Sequence, residues 1–139
     1  MILKGKKVND GKAEGEAIVT KMPFNFILDL DIYSGRVNAG HELEGQSITG
    51  KIFVFPTGRG STWGPLMAYE AWIRGNFCLG MVCTQAEPII GAIPIMLDIP
   101  MVHKLNMNPV EVIETGDYVR VDGTARTVEV IKRGVAKPK

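Results

Sequence analysis

A strand, a glycine-rich loop, a helix and a second strand follow one another in residues 51–84, and this order constrains the fold more than any other feature. The run KIFVFP (51–56) is apolar, β-branched and aromatic, and it ends at a proline, which is typical of a buried strand. The run FCLGMVCT (77–84) has the same apolar character. Two buried strands that are joined through a helix pair in parallel by a right-handed crossover. The sequence therefore predicts an α/β unit with a glycine-rich loop between a strand and a helix N-terminus.

The helix of this unit is predicted from the spacing of its apolar residues, which follows a helical stripe rather than alternation. The stripe consists of Trp63, Leu66, Met67, Tyr69, Ala71, Trp72 and Ile73. Ser61 or Thr62 is the expected N-cap, and Pro65 suits the first turn. Gly75 and Asn76 provide the signal that ends the helix.

The other segments predict further strands and hairpins. GKAEGEAIVT (11–20) follows an Asn-Asp-Gly turn, which indicates a hairpin at the start of the chain. FNFILDLDIYSGRV (24–37) alternates apolar and polar residues, as expected of an edge or half-exposed strand. HELEGQSITG (41–50) is polar and rich in glycine, so we expect a loop. DYVRVDGTARTVEVI (117–131) alternates on both sides of Asp-Gly and is the clearest hairpin signal in the chain.

Prolines bound two more helical segments. AEPIIGAIPIMLDIPMV (86–102) predicts a short helix broken near Pro94 and then a strand from Ile99 to Val102. NPVEVIETG predicts a helical turn capped by Asn108. The whole chain is therefore predicted to be an α/β fold with two to three helices and a mixed sheet that contains antiparallel hairpins.

Length and charge bound the class of protein. A chain of 139 residues can bury a core of its own, so we expect a single domain over residues 1–139. Lys and Arg number 16 against 15 Asp and Glu, and a net charge of +1 provides no basic field for nucleic acid or an anionic membrane. No apolar run approaches the ~20 residues of a membrane-spanning helix. The first residues, MILKGKKVNDG, lack the apolar stretch of a signal peptide, so we expect a cytoplasmic protein.

The cysteines and histidines do not form a metal-binding pattern. Cys78 and Cys83 have none of the close cysteine or histidine companions of a zinc site, because His41 and His103 are distant single residues. The odd spacing of the cysteines would place them on opposite faces of one strand. We therefore expect buried structural thiols and no metal bound by this chain.

The loop TGRGSTWG (57–64) fits two interpretations, a capped turn or a site for an anion. Its glycines allow the backbone to approach a ligand, the helix N-terminus favours negative charge, and Arg59 could pair with a carboxylate or phosphate. It lacks the spacing of a Walker A loop. Ser61 could act as a base or nucleophile, but nothing in the sequence connects either histidine to it, so a Ser-His-Asp triad is poorly supported.

Segments spread over nearly the whole chain resemble the small subunit of the aconitase X family. These segments are GKAEGEAIV (11–19), HELEGQSITGKIFVFPTGRGSTWG (41–64), MAYEA (67–71), AEPIIGAIPIMLDIPMV (86–102) and GDYVRVDG (116–123). The strand, the loop and the Gly-Ser-Thr sequence form the most specific part of the resemblance. It implies a swivelling β/β/α domain similar to the mobile domain of aconitase, which closes over a larger body.

The resemblance also implies an activity that is divided between two chains. Archaeal-type members are small subunits of a hydro-lyase that dehydrates (R)-5-phosphomevalonate to trans-anhydromevalonate 5-phosphate in a mevalonate pathway of isoprenoid biosynthesis. A large subunit, the heterodimer partner, would carry a [4Fe-4S] cluster, and this chain would carry none.

The resemblance assigns the chemistry to the loop. The first serine of the family's motif falls on Ser61, which becomes the candidate proton acceptor. Arg59, Gly60, Thr62 and Gly64 become candidates for binding the phosphorylated hydroxy acid. Two alternatives remain at this point: the small subunit of a hydroxyproline dehydratase, and a non-catalytic, stand-alone swivelling binding domain.

Overall fold

The computed structural model describes residues 1–59 and 62–134. The strands in this part of the chain are β1 (Ile2–Lys4), β2 (Lys6–Asn9), β3 (Lys12–Val19), β4 (Ile52–Phe55), β5 (Gly80–Cys83), β6 (Met101–His103), β7 (Tyr118–Asp122) and β8 (Thr127–Lys132). The helices are α1 (Gly64–Ile73), α2 (Pro88–Leu97) and α3 (Pro109–Val112). None of these helices has the length and apolar character that crossing a membrane requires.

The strands form one mixed sheet in the order β1-β8-β7-β3-β4-β5-β6-β2. The four strands β3, β4, β5 and β6 are parallel neighbours, and the other pairings are antiparallel. The helix α1 connects β4 to β5, and α2 connects β5 to β6, as the strand–helix–strand order predicted. The predicted α/β fold with a mixed sheet, an antiparallel hairpin and two to three helices is confirmed.

The amino-terminal strands close the sheet on itself. β1 and β2 lie at opposite ends of the strand order, yet only Gly5 separates them in the chain. β1 pairs with β8, and β2 pairs with β6. A side chain at Gly5 would place a Cβ atom 2.5 Å from the carbonyl oxygen of His103, so this corner requires glycine. One short segment thus joins both edges of the sheet.

Two apolar clusters lie on the two faces of the parallel strands. Ile52 and Val54 point into an inner cluster, whereas Phe53 and Phe55 point into an outer one, so β4 is buried on both faces. The inner cluster contains Leu3, Ala17, Ile52, Val54, Val82, Val102, Val110, Ile113, Val119, Val121, Val128 and Val130. The outer cluster includes five phenylalanines in mutual contact, Phe24, Phe26, Phe53, Phe55 and Phe77. Strands buried on both faces are continuously apolar, as in KIFVFP.

The predicted hairpin at the start of the chain is wrong in its pairing. β3 is a strand as expected, but it pairs with β7 and β4, whereas β2 pairs with β6. The chain does turn at Gly11, as the sequence predicts, since this glycine has φ +112°. It redirects the chain from an edge to the centre of the sheet, so the two strands that it joins are not neighbours.

The half-exposed strand predicted over 24–37 does not form. Asn25 accepts hydrogen bonds from the amides of Ile27 and Leu28 through its side chain, and Asp31 does the same for Tyr33. Such side-chain bonds compete with strand pairing and favour turns. The segment is therefore a series of turns, in which only isolated bridges such as Leu30 to Val37 occur.

The prediction that Pro94 breaks its helix is also wrong, because α2 continues through it. A proline removes one hydrogen bond and clashes with the preceding turn. Here the buried residues Ile90, Ile93 and Leu97 pack in the outer cluster and hold the helix together. The following strand begins at Met101 rather than at Ile99.

α1 ends as predicted but begins later. The amide of Asn76 donates to the carbonyl of Ala71 (2.9 Å), and the amide of Gly75 donates to that of Trp72 (2.9 Å), with Gly75 at φ +77°. This pair of hydrogen bonds is the glycine-based helix stop that the sequence indicates. At the other end the N-cap is Trp63 instead of Ser61 or Thr62, since Thr62 and Trp63 form a turn before the helix.

Candidate functional site

The carboxyl ends of the parallel strands define one edge of the sheet, where ligands bind in many α/β proteins. Backbone hydrogen bonds tie together the segments that follow these strands. The amide of Thr20 donates to the carbonyl of Val54 (3.0 Å), and that of Thr84 donates to Phe55 (3.1 Å). The amide of Lys104 donates to Thr84 (3.0 Å). The glycine-rich loop leaves β4 at this edge, so it begins on a fixed support.

The first half of the loop is held by Phe24. The amide of Phe24 donates to the carbonyl of Thr57 (3.1 Å), and the amide of Arg59 donates to the carbonyl of Phe24 (3.0 Å). Gly58 lies between these two bonds and against α2, where a Cβ atom would be 2.0 Å from Cγ1 of Ile90. Glycine is therefore needed for close packing at this position, which the sequence interpretation did not foresee.

The second half of the loop leads into the N-terminus of α1. Gly64 is the first helical residue and is buried, and a Cβ atom there would meet only Phe26, at 3.9 Å. Among residues 1–59 and 62–134, no side chain caps the first-turn amides of α1, and that turn carries no acidic residue. The first turn of α1 therefore has no carboxylate of its own to offset the positive end of the helix dipole.

The N-terminus of α2 lies beside the same loop and is capped by the side chain of its N-cap residue, Glu87. The Glu87 carboxylate accepts hydrogen bonds from the amides of Ile89 (3.0 Å) and Ile90 (2.7 Å). Its Oε1 would lie 3.1 Å from a Cβ atom at Gly58. Glu87 therefore provides hydrogen-bond acceptors for two first-turn amides of α2 and adds a negative charge next to the start of the loop.

The structure describes three of the five predicted site residues. Arg59 and Thr62 are exposed, and Gly64 is buried. In the described part of the chain, no carboxylate forms an ion pair with Arg59. Gly60 and Ser61 lie outside the described residues, so their predicted roles stay predictions.

Both histidines serve the structure. His41 is buried; its Nδ1 accepts from the amide of Leu43 (3.1 Å), and its Nε2 lies 3.2 Å from the carbonyl oxygen of Pro23, to which it donates. Nδ1 of His103 accepts from the amide of Ala86 (3.0 Å). The pKa of His103 is lowered mainly by burial and further by the positive charges of Lys104 and Lys6. Its imidazole is therefore neutral at pH 7.

Both cysteines are buried free thiols, as predicted. Burial raises the pKa of Cys83 to about 12 and raises the pKa of Cys78 as well, so neither is a thiolate at neutral pH. The predicted placement on opposite faces of one strand is wrong, because Cys78 precedes β5 and both side chains belong to the outer cluster. No group of three His, Cys, Asp or Glu residues in the described chain could hold a metal ion.

A cleft of about 490 Å³ opens beside the end of β3, and the sequence did not indicate it. Its wall includes Glu42, whose carboxylate accepts hydrogen bonds from the hydroxyl of Thr20 and the amide of Lys21. These bonds lower the pKa of Glu42. Lys21 also pairs with Glu111 across the cleft, at 3.4 Å. The wall combines three segments that are far apart in the chain, so no local spacing could have predicted it.

Comparisons with known proteins agree with this architecture. The sequence profile described as "Aconitase X swivel domain" matches residues 2–130. Two relatives named "Phosphomevalonate dehydratase small subunit" come from Methanocella arvoryzae and Methanocaldococcus jannaschii. The first is 40% identical and covers 94% of this chain and 99% of the relative, and the second is 41% identical and covers 96% and 100%.

A solved structure is similar over the same extent. The crystal structure of Thermococcus kodakaraensis aconitase X in its holo-form matches with a TM-score of 0.89 and 39% identity. The match covers 95% of this chain and 99% of the solved chain. The predicted likeness to an aconitase-type swivel domain is confirmed. The profile match and these near-full-length relatives show that the chain belongs to the aconitase X swivel domain family.

Proposed function

We propose that this chain is the small subunit of a phosphomevalonate dehydratase, which converts (R)-5-phosphomevalonate to trans-anhydromevalonate 5-phosphate in the cytoplasm. One observation carries the proposal. Relatives at about 40% identity bear that name, and the alignments cover nearly all of both chains. The partner of this chain is then the large subunit, with which it forms a heterodimer.

The proposed division of labour is supported by the side chains of this chain. No metal-binding group of side chains occurs in residues 1–59 and 62–134, and the two thiols are buried. We therefore assign the [4Fe-4S] cluster of the aconitase-like reaction to the large subunit. When bound there, the cluster supplies a Lewis-acidic iron that helps the substrate hydroxyl to leave.

This chain's part is to remove a proton. Dehydration of a β-hydroxy acid takes a weakly acidic hydrogen from the carbon next to the carboxylate, so the base must be strong. We assign this role to the hydroxyl of Ser61 in its deprotonated form. The N-terminus of α1, where no described side chain caps the first-turn amides, and the positive charge of Arg59 would both favour an alkoxide over a hydroxyl. In the sequence, Ser61 comes two residues after Arg59 and three before Gly64.

The chain's second part is to hold an anion. The substrate carries a carboxylate and a phosphate, and α1 offers first-turn amides that no described side chain caps. We assign Arg59, Gly60, Thr62 and Gly64 to this contact. Pro65 has no amide hydrogen, so it offers the substrate no backbone donor.

The test is reconstitution with the large subunit of the same genome. We expect the pair, assembled without oxygen, to dehydrate 5-phosphomevalonate, and each chain alone to be inactive. Hydroxyproline is the control substrate. Turnover of hydroxyproline in place of phosphomevalonate would contradict the substrate, and turnover by this chain alone would contradict the division of labour.

A further inference from the structure

The helix α1 packs with its small residues inward and its large residues outward. Ala68 and Ala71 are completely buried in the outer cluster. We define the α1 stripe as the four large apolar side chains of the helix that are exposed: Leu66, Tyr69, Trp72 and Ile73, which are 43%, 38%, 44% and 54% exposed. A surface helix normally shows the reverse pattern, with large apolar residues in the core. The stripe is therefore apolar surface that the described part of the chain does not cover.

The size of this surface is that of an interaction site. Large aromatic side chains bury 150–250 Å² each, so the partly exposed stripe offers on the order of 400 Å², comparable to the largest apolar patch of a typical monomer. A standard interface buries about 800 Å² on each partner, so the stripe could form the apolar centre of one. Tyrosine and tryptophan are also the residues that most often dominate binding energy. Tyr69 and Trp72 lie side by side, with ring centroids 6.0 Å apart.

The stripe is continuous with the candidate site. Trp63, which is 63% exposed, is the N-cap of α1 and the last residue of the glycine-rich loop before the helix. From Trp63 to Ile73 the helix rises about 15 Å. The loop and the stripe therefore adjoin, so a protein that covers the loop can also contact the stripe.

The charged groups of α1 do not favour a charged partner. Glu70 pairs with Arg74, with the Nη1 and Oε2 atoms 2.5 Å apart. The Arg74 guanidinium also lies over the Tyr33 ring, 4.9 Å from its centroid. With this pair neutralised, the surface suits an apolar protein surface better than nucleic acid or an anionic membrane.

We propose that the α1 stripe is the surface on which the large subunit docks, an inference that rests on the proposed function. The large subunit is the one occupant that must also approach the N-terminus of α1, where the substrate would lie. Docking along the stripe buries the apolar side chains and fixes the loop against the partner's part of the site.

Fluorine NMR tests where the partner lies. Trp63 and Trp72 are the two tryptophans of the chain, one at each end of the surface. The chain is labelled with 5-fluorotryptophan, its two signals are assigned with Trp72→Phe, and unlabelled large subunit is added. We expect both signals to shift. A shift of the Trp63 signal alone would overturn the proposal, because the partner would then cover the loop but not the stripe.

Matched double variants test how much the surface contributes. Leu66→Ser/Trp72→Ser removes two stripe residues, and Ile95→Ser/Met96→Ser removes two side chains of α2 that are 61% and 47% exposed. Calorimetric titration with the large subunit should give a Kd about 100-fold weaker for the stripe variant, and less than threefold weaker for the α2 control. The melting temperature of each isolated variant verifies that it is folded. Equal affinity of the two variants would overturn the proposal.

Turnover separates this proposal from the proposed function. At saturating small subunit, the stripe variant should regain near-wild-type kcat, because the stripe binds the partner and does not touch the substrate. A wild-type pair that assembles but does not dehydrate phosphomevalonate would sink the function and leave the docking surface intact. Failure of the wild-type chains to bind each other would overturn both. A wild-type chain that sediments as a dimer, and a stripe variant that sediments as a monomer, would assign the surface to a second copy instead.

Discussion

The N-termini of α1 and α2 lie at the same edge of the sheet and differ in one respect. Each helix follows a parallel strand and has a proline in its first turn. At α2 the Glu87 carboxylate accepts two amide hydrogen bonds from the first turn. At α1 no described side chain accepts such a bond.

The difference indicates which helix is structural and which is available for chemistry. A carboxylate at an N-cap stabilises a helix by about 0.5–2 kcal/mol, and it also repels any anion from the same place. α2 gains this stability and loses the capacity to bind an anion. In the described part of the chain no side chain stabilises α1 in this way or occupies its first-turn amides, which fits a loop that serves a phosphorylated acid. The following predictions test this contrast.

The largest expected effect is that of Ser61→Ala. Removal of the proposed base should lower kcat of the reconstituted complex about 10²–10⁴-fold, the usual contribution of general-base catalysis. Partner binding and melting temperature should stay unchanged. Thr62→Ala is the neighbouring control, and it should raise KM more than it lowers kcat. Near-wild-type turnover by an assembled Ser61→Ala complex would mean that the base lies elsewhere.

Next in size is Gly58→Ala, which forces the loop and α2 apart. The added methyl group would lie 2.0 Å from Cγ1 of Ile90, so we expect a loss of roughly 1–3 kcal/mol in the free energy of unfolding, as for other overpacked sites. Urea denaturation measures it. Gly64→Ala is the matched control, because its methyl group would meet only Phe26 at 3.9 Å. Equal losses for the two variants would show that packing at Gly58 is not special.

A charge placed beside α1 should make it resemble α2. Thr62→Glu adds a carboxylate next to the open N-terminus, where it would compete with the substrate's anionic groups. We expect KM for phosphomevalonate to rise about tenfold, which corresponds to ~1.4 kcal/mol, within the range of helix-dipole effects. Thr62→Gln has the same shape without the charge, and its KM should rise less. A KM that is the same for both variants would exclude the charge effect.

The smallest effect is expected when α2 loses its cap. Glu87→Ala should lower the free energy of unfolding by about 0.5–2 kcal/mol, because two first-turn amides lose their acceptor. Glu87→Gln retains an acceptor oxygen and should lose less. Thermal unfolding of the isolated chain measures both. A substantial rise in KM for either variant in the complex would contradict the purely structural role of α2's N-terminus.

Sequence alone predicted the elements whose signals are local. The apolar run of β4, the helix stop at Gly75 and the hairpin of β7 and β8 each depend on residues close together in the chain. The start of the chain was different. The pairing of β2 depends on β6, about 95 residues away, and no local pattern encodes it.

The candidate site divides in the same way. The loop and its arginine could be identified from glycine spacing, but two supports of the loop could not. Gly58 needs Ile90 from α2, and the backbone of Phe24 holds Thr57 and Arg59. Phe24 itself was assigned to a strand, because alternation of apolar residues in 24–37 masked the turn-forming Asn and Asp side chains. These contacts depend on tertiary packing.

The closed sheet imposes an order on biosynthesis. The first strand, β1, finds its partner only in β8, which the ribosome makes last among the strands. The parallel half, with helices α1 and α2, can form earlier and pair with β2 through β6, while β1 waits unpaired. Pairings so distant in sequence also slow folding, because the chain must close a long loop before it gains the contact. Assembly with a partner should therefore follow completion of the whole chain, when β1 has paired with β8 and β2 with β6 and the inner cluster is buried.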